Sequence, residues 1–294
     1  MQVARTILLM GNRSPKRKKG SRHFMRSPSR ILKKLYQLYK LNPRRRQLEG
    51  EISTALGHEI RLHAKPTKSR DRSSIYWAKS NGQNIGILRL MNPYFNPPQT
   101  SADELGPRKL LPMKSRLAHE WDAYSRLHPV GLSPEPIWHC EDATMGSHVD
   151  WPRVSKQLIA NPDSFWNIME KVIPALRTMH DLGVFHMDLN MGNILADETG
   201  DGIMFIDFEY AGADGLTPPQ QKAFDYLQMI SNTTRRRRGG NVLKANTDRI
   251  ARLLDASIDA ETRNADLVFA TNTLAKIDTI PGLRESLKTV FKKL

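Results

Sequence analysis

The stretch His186-Met187-Asp188-Leu189-Asn190-Met191-Gly192-Asn193, followed by Phe205-Ile206-Asp207-Phe208, constrains this chain more than any other feature. Its polar residues fall as H-x-D-x-x-x-x-N and then an Asp-Phe pair, the second aspartate 14 residues after the asparagine. Residues 193–196 and 203–206 read as two short strands around a Gly-Asp-Gly turn. Asp188 is suited to take a proton from a hydroxyl held within hydrogen-bond reach. Asn193 and Asp207 offer the hard oxygen donors that magnesium takes alongside phosphate oxygens. His186, in the same run, reads as a buttress of the loop.

Length and charge set the frame around this run. A chain of 294 residues is long enough for two lobes and a sizeable core. No apolar run approaches the roughly 20 residues of a spanning helix. Residues 6–10 are too short for the apolar part of a signal peptide. A single cysteine, Cys140, leaves no internal disulfide. These features lead us to expect a cytoplasmic protein. The net charge of +15 is unevenly placed. Residues 1–48 hold 15 Lys/Arg and no Asp or Glu, so the remainder, with 30 of each sign, is neutral.

Three segments follow from composition and periodicity. Residues 1–48 read as a basic arm, disordered over 11–30, with a short amphipathic helix at 30–41 ended by Asn42-Pro43. Residues 49–159 read as a first lobe. It has three antiparallel strands at 59–65, 73–79 and 85–91, the last two joined at Asn81-Gly82. A loop follows at 92–113, then a helix at 114–127 burying Leu117, Trp121, Tyr124 and Leu127. Strands at 137–140 and 153–159 complete the sheet, with a hinge at 157–160. Residues 160–294 read as a helical second lobe, opened by a long helix at 163–182 that contains Pro174.

The motifs resemble the protein-kinase-like superfamily, and within it the bacterial lipopolysaccharide core kinases, which phosphorylate Kdo or heptose sugars of lipid A-core. The resemblance is carried by His-x-Asp-Leu-Asn-x-x-Asn-Ile-Leu at 186–195 and by Ile-Asp-Phe-acidic at 206–209. Glu120-Trp121 with Leu127, and Pro134-x-Pro136, add to it, over residues 55–235. It implies an α+β, two-lobed kinase-like fold using ATP and Mg2+. Asp188 would then be the base, and Asn193 and Asp207 the metal ligands. Arg89 would be the third-strand cation, paired to Glu120 on the next helix. Gln157 and Ile159 would line the nucleotide from the hinge. Asp225 matches the helix aspartate that braces the catalytic loop.

Departures from the family pattern shape the expected substrate. Arg89 stands where the family has lysine, and Arg and Lys are not equivalent. Glu209 stands where many protein kinases have glycine. Residues 65–72 contain no glycine, so Lys68 and Ser69 are the candidates to cover phosphates. No Ala-Pro-Glu motif and no long activation segment follow. A sugar or glycolipid hydroxyl is therefore the expected acceptor, with an atypical Ser/Thr protein kinase and a binding pseudokinase as alternatives. For the arm, residues 13–46 could lie on an anionic membrane, where each cation contributes about 1 kcal/mol, or dock on the kinase body. Simple solvation is a third possibility. Nucleic acid is disfavoured because the arm's candidates for base stacking are few, Phe24, Tyr36 and Tyr39. Arg235 to Arg238 form a second basic cluster.

Overall fold

The computed structural model describes residues 28–65, 73–94 and 106–294. The first lobe is a five-stranded antiparallel sheet in the order β1-β2-β3-β6-β5. Its strands are β1 (Arg61–Ala64), β2 (Ser73–Ser80), β3 (Gln83–Met91), β5 (Pro136–Cys140) and β6 (Ala143–Ser147). Asn81 and Gly82 both take positive φ, 49° and 80°, as a two-residue hairpin turn requires. Side chains alternate across β2 and β3. Tyr76, Ala78, Leu88 and Leu90 are buried on one face, while Ile75, Trp77, Ile87 and Arg89 face a cleft on the other.

The helix α1 (Pro28–Leu56) covers the buried face. It was expected to stop at Asn42-Pro43, yet it runs through Pro43, and the boundary placed after residue 48 falls inside it. Proline removes a helical donor and crowds the preceding turn. Tertiary contacts outweigh that penalty here. Leu41, Leu48 and Ile52 are buried with the sheet core. Arg44 grips the Asp142 carboxylate with Nε and Nη2 at 2.8 and 2.6 Å, while its Nη1 donates to Glu51. Glu49 accepts both Arg45 Nη1 and the Leu62 amide at 2.6 Å. Arg44 and Arg45, at the end of the basic stretch, therefore begin the folded body. Tyr36 and Tyr39, further up α1, stay exposed.

Two further expectations are corrected. Residues 153–159 are not a strand: α3 spans Val154–Ala160, and the sheet is completed by β6, between β3 and β5. Val154 and Leu158 are the buried residues of α3, a four-residue spacing that suits a helix. Four of the five residues of β6 are buried, so it shows no period-2 pattern. The chain crosses between lobes at residues 148–153, not at 157–160. The loop expected over 92–113 contains β4 (Arg108–Leu110), which pairs with β9 (Tyr210–Gly212).

The helix α2 (Met113–Leu127) lies beside the sheet and buries Leu117, Glu120, Tyr124 and Leu127. In the second lobe, α4 (Phe165–Asp181) buries an apolar stripe of Phe165, Ile168, Met169, Val172, Ile173, Leu176 and Met179 and passes through Pro174. β7 (Ile194–Ala196) pairs with β8 (Ile203–Phe205). α5 (Pro218–Thr233) starts at a capping box made by Thr217 and Gln220, and short helices fill the rest to residue 288. A small antiparallel sheet beside one helix, joined by a single crossing to a helical lobe, is the two-lobed kinase-like α+β architecture.

The docking of α1 is titratable. Hydrogen bonds from Arg44 hold the Asp142 carboxyl below its ordinary value of 3.8. A depressed carboxylate stabilises the fold above that value and loses its contribution as pH falls through its folded pKa. Asp142→Asn should therefore destabilise the protein at pH 7 by about 1–3 kcal/mol, with the gap from wild type closing in acid. Urea denaturation at pH 7 and near pH 3 measures both.

Candidate active site

Arg89 stands at the centre of the cleft. Its Nε lies 3.0 Å from Glu120 Oε1, Nη2 lies 2.9 Å from Asp207 Oδ1, and Nη1 lies 3.5 Å from Glu209 Oε1. One planar fork thus meets carboxylates from α2 and from the segment after β8, a geometry an ammonium point charge does not offer. Burial works against the Arg89 charge, but Asp207 and Glu120 hold its pKa well above the ordinary value. Burial pushes Glu120 upward against the pull of Arg89. Burial and the Asp207 charge carry Glu209 up to about 7. Burial opposes ionisation of Asp207 too, yet Arg89 draws its pKa below the usual carboxylate range. The cluster therefore keeps Asp207 anionic near neutrality and leaves Glu209 poised to hold a proton.

The loop that carries Asp188 is tied down from behind. Asp225, fully buried on α5, accepts the His186 and Met187 amides at 2.8 Å each. His180 Nε2 meets the same carboxylate at 3.1 Å. His186 Nε2 lies 3.0 Å from the Ile206 carbonyl. A carbonyl only accepts, so that nitrogen carries the proton. The His186 ring rests on Phe208 at 4.6 Å, and Phe208 meets Tyr124 of α2 edge-on at 6.0 Å. His186 is thus enclosed and acts through the loop. Met187 and Asp207 take φ of 58° and 77°, left-handed values that non-glycine residues adopt where the surroundings enforce them.

Asn193 and Asp207 are the donors that could hold a magnesium ion. Asn193 Nδ2 donates to the Asp188 carbonyl at 3.1 Å, which commits the amide nitrogen and leaves Oδ1 as the donor oxygen. Asp207 Oδ1 is buried and accepts no hydrogen bond. Arg89 Nη2 lies 2.9 Å from it as its charge partner. An anionic oxygen of this kind fits a hard cation. Among the described residues no group of three or more His, Cys, Asp or Glu forms a closed metal cage. Magnesium fits such a site because it completes its shell with water and phosphate.

The cleft encloses about 370 Å3. Ile75, Trp77 and Ile87 form its roof, Leu195 and Ile206 its floor, and residues 147–153 its rim. Apolar walls with a few polar groups suit a small ligand. Gln157 and Ile159 do not line it. Gln157 Nε2 instead donates to the carbonyls of Ala196 and Asp197, and Ile159 is 56% exposed. Both misplacements follow from reading α3 as a strand. Lys68 and Ser69 lie outside the described residues. Sequence reasoning also missed Lys65, whose Nζ sits 4.2 Å over the Trp77 ring. The crossing at 148–153 was missed too, although the Trp151-Pro152 pair just before α3 was an available sign of a break.

Arg108 was the other omission. β4 brings its Nη1 to 2.5 Å from Asp188 Oδ1, and its guanidinium packs over the Tyr210 ring at 5.2 Å. No motif marks it, because its partner strand β9 is about 100 residues away. Burial raises the Asp188 pKa, and Arg108 opposes that rise. Arg108→Gln should therefore move the Asp188 pKa further upward. Carboxyl-carbon NMR titration of wild type and variant measures the shift, and Asp188→Asn assigns the resonance.

No family model and no curated protein sequence matches this chain. Among solved structures it is similar to the Rio2 kinase from Chaetomium thermophilum at 18% identity, over 72% of this chain and 76% of that one, with a TM-score of 0.44. It is similar to the Mycobacterium tuberculosis PknI kinase domain at 15% identity, over 81% and 90%, with a TM-score of 0.41. The kinase-like assignment of the fold stands on the lobes, the sheet order and the loop geometry described above.

Proposed function

We propose that this protein is an ATP- and Mg2+-dependent phosphotransferase acting on the hydroxyl of a sugar or glycolipid, with lipopolysaccharide core as the favoured acceptor. The observation that carries it is the tie between Asn193 and Asp188, 3.1 Å, beside the Asp207–Arg89 pair, with Arg89 and Glu120 lining the cleft. Asp188 takes the acceptor's hydroxyl proton. The acceptor oxygen then bonds to the terminal phosphorus as the bond to ADP breaks. Arg89, held by Glu120, orients the phosphates. Asn193 and Asp207 would hold magnesium, which when bound offsets the phosphate charge.

The small-acceptor reading is supported by the segment after Asp207. It folds at once into β9, against β4, and reaches α5 at Pro218, so little chain is left to form a platform for an extended peptide. Work at the cytoplasmic face of the inner membrane is supported by the exposed Tyr36 and Tyr39 beside the cations of residues 13–46. Aromatic and cationic side chains together favour an anionic interface.

Incubation with labelled ATP, Mg2+ and lipid A-core tests the proposal. Label should enter the sugar, and Asp188→Asn should lower the rate by about 10²–10⁴-fold. Label in protein alone would transfer the acceptor assignment to a protein hydroxyl. No Asp188-dependent transfer to any acceptor would leave a binding pseudokinase.

A further inference from the structure

The catalytic run 186–193 contains no Lys or Arg, and residues 65–72 contain no Gly. A phosphate chain in this cleft is therefore offered neither a cation from the run nor a glycine backbone cradle from the hairpin. Asn190, two residues after the proposed base, does not fill the gap. Its Nδ2 donates to the Asp188 carbonyl at 3.1 Å and its Oδ1 accepts the Gly192 amide at 2.9 Å, so both ends of the amide are committed to the loop.

Cations do reach the mouth of the cleft from both lobes. Lys65 comes from the end of β1, and Arg153 and Lys156 come from the start of α3. The Arg153 backbone is anchored to the floor by a bridge to Leu195. Its Nη1 comes within 3.8 Å of the position a side chain at Gly192 would take, which places the guanidinium beside the catalytic loop. Arg153 and Lys156 are exposed, and neither forms an ion pair among the described residues. Among the described residues the cleft is lined by four cations, Lys65, Arg89, Arg153 and Lys156, against two carboxylates, Glu120 and Asp150. Glu120 is already held by Arg89. After burial itself, the repulsion of Arg153, Arg89 and Lys156 lowers the Lys65 pKa. A site that gathers like charges around a cavity is completed by a polyanion.

We propose that Lys65, Arg153 and Lys156 form a two-lobed side-chain clamp for the phosphates of the bound nucleotide, in place of a glycine cradle. The clamp rests on the nucleotide assignment above and adds the residues that grip the phosphates. Arg153 has the larger share, because its planar fork can take two phosphate oxygens at once, while Lys156 contributes a point charge.

Titration of the full-length protein, followed by the fluorescence of Trp77 and Trp151 in the cleft, separates the clamp from the nucleotide assignment. The ligands are ATP, AMP, adenosine and inorganic tripolyphosphate, each with Mg2+. Arg153→Gln should weaken ATP about tenfold, the loss of one charge-assisted contact. Lys156→Gln should weaken it less. Adenosine should bind both variants as it binds wild type, and Arg153→Lys should restore part of the loss. Since both side chains are exposed, thermal melting should be unchanged. Wild-type ATP affinity in the Arg153→Gln and Lys156→Gln variants, or an equal loss for adenosine, would overturn the clamp and spare the nucleotide assignment. Tripolyphosphate binding that both substitutions weaken, without any nucleotide binding, would support the clamp and overturn that assignment. Binding of neither by wild type would overturn both.

Discussion

The guanidinium of Arg89 is the interaction on which the rest of the site depends. Among the described residues it is the one cation that pairs with both Glu120 of the sheet's helix and Asp207 of the second lobe. Burying one unpaired charge is expensive, and removing one partner of a buried pair typically costs about 3–5 kcal/mol. Here three carboxylates share one guanidinium. That dependence fixes the helix α2 against the sheet and fixes the segment after β8 beneath it. It also divides the acids by charge: Asp207 is kept ionised for a cation, while Glu209 is pushed up to about 7. Arginine at this position is therefore consistent with a working site. Its fork serves a third carboxylate, Glu209, which stands where a glycine would give it nothing to pair.

Around this pivot the site is rigid behind and charged in front. Asp225, Phe208 and His186 lock the catalytic loop through buried hydrogen bonds and ring contacts. Arg108 rests on Asp188 from a strand that belongs to the first lobe's long connection. The proposed base is thus neutralised by a residue outside the catalytic run. An acceptor hydroxyl must share or displace that ion pair, so the β4–β9 pairing joins the acceptor side of the cleft to the segment that carries Asp207.

The parts of this arrangement that were legible in the sequence are those encoded locally. The 186–193 run, the Asn81-Gly82 turn and the apolar stripe of α4 each declare themselves within a few residues, and each stands where the sequence placed it. What was illegible is what distant packing decides. Pro43 was a sound stop signal, overridden by Leu48, Ile52 and the Arg44–Asp142 pair. β6 has no alternation because it is buried along nearly its whole length. Without it, α3 was enlisted as a strand, and Gln157 and Ile159 were carried into the site with it. Arg108 was unreadable because its meaning comes from pairing with β9, far along the chain. The kinase-like fold was visible in a motif; Lys65, Arg108, Arg153 and Lys156 were not, because they converge from three separate elements.

A crystal structure of the protein with Mg2+ and a non-hydrolysable ATP analogue tests the central claim most directly. Magnesium should sit on Asn193 Oδ1 and Asp207, with Arg89 still on Glu120 and the terminal phosphate beside Asp188. An empty cleft at saturating analogue, or metal and nucleotide bound away from Asn193 and Asp207, would contradict it.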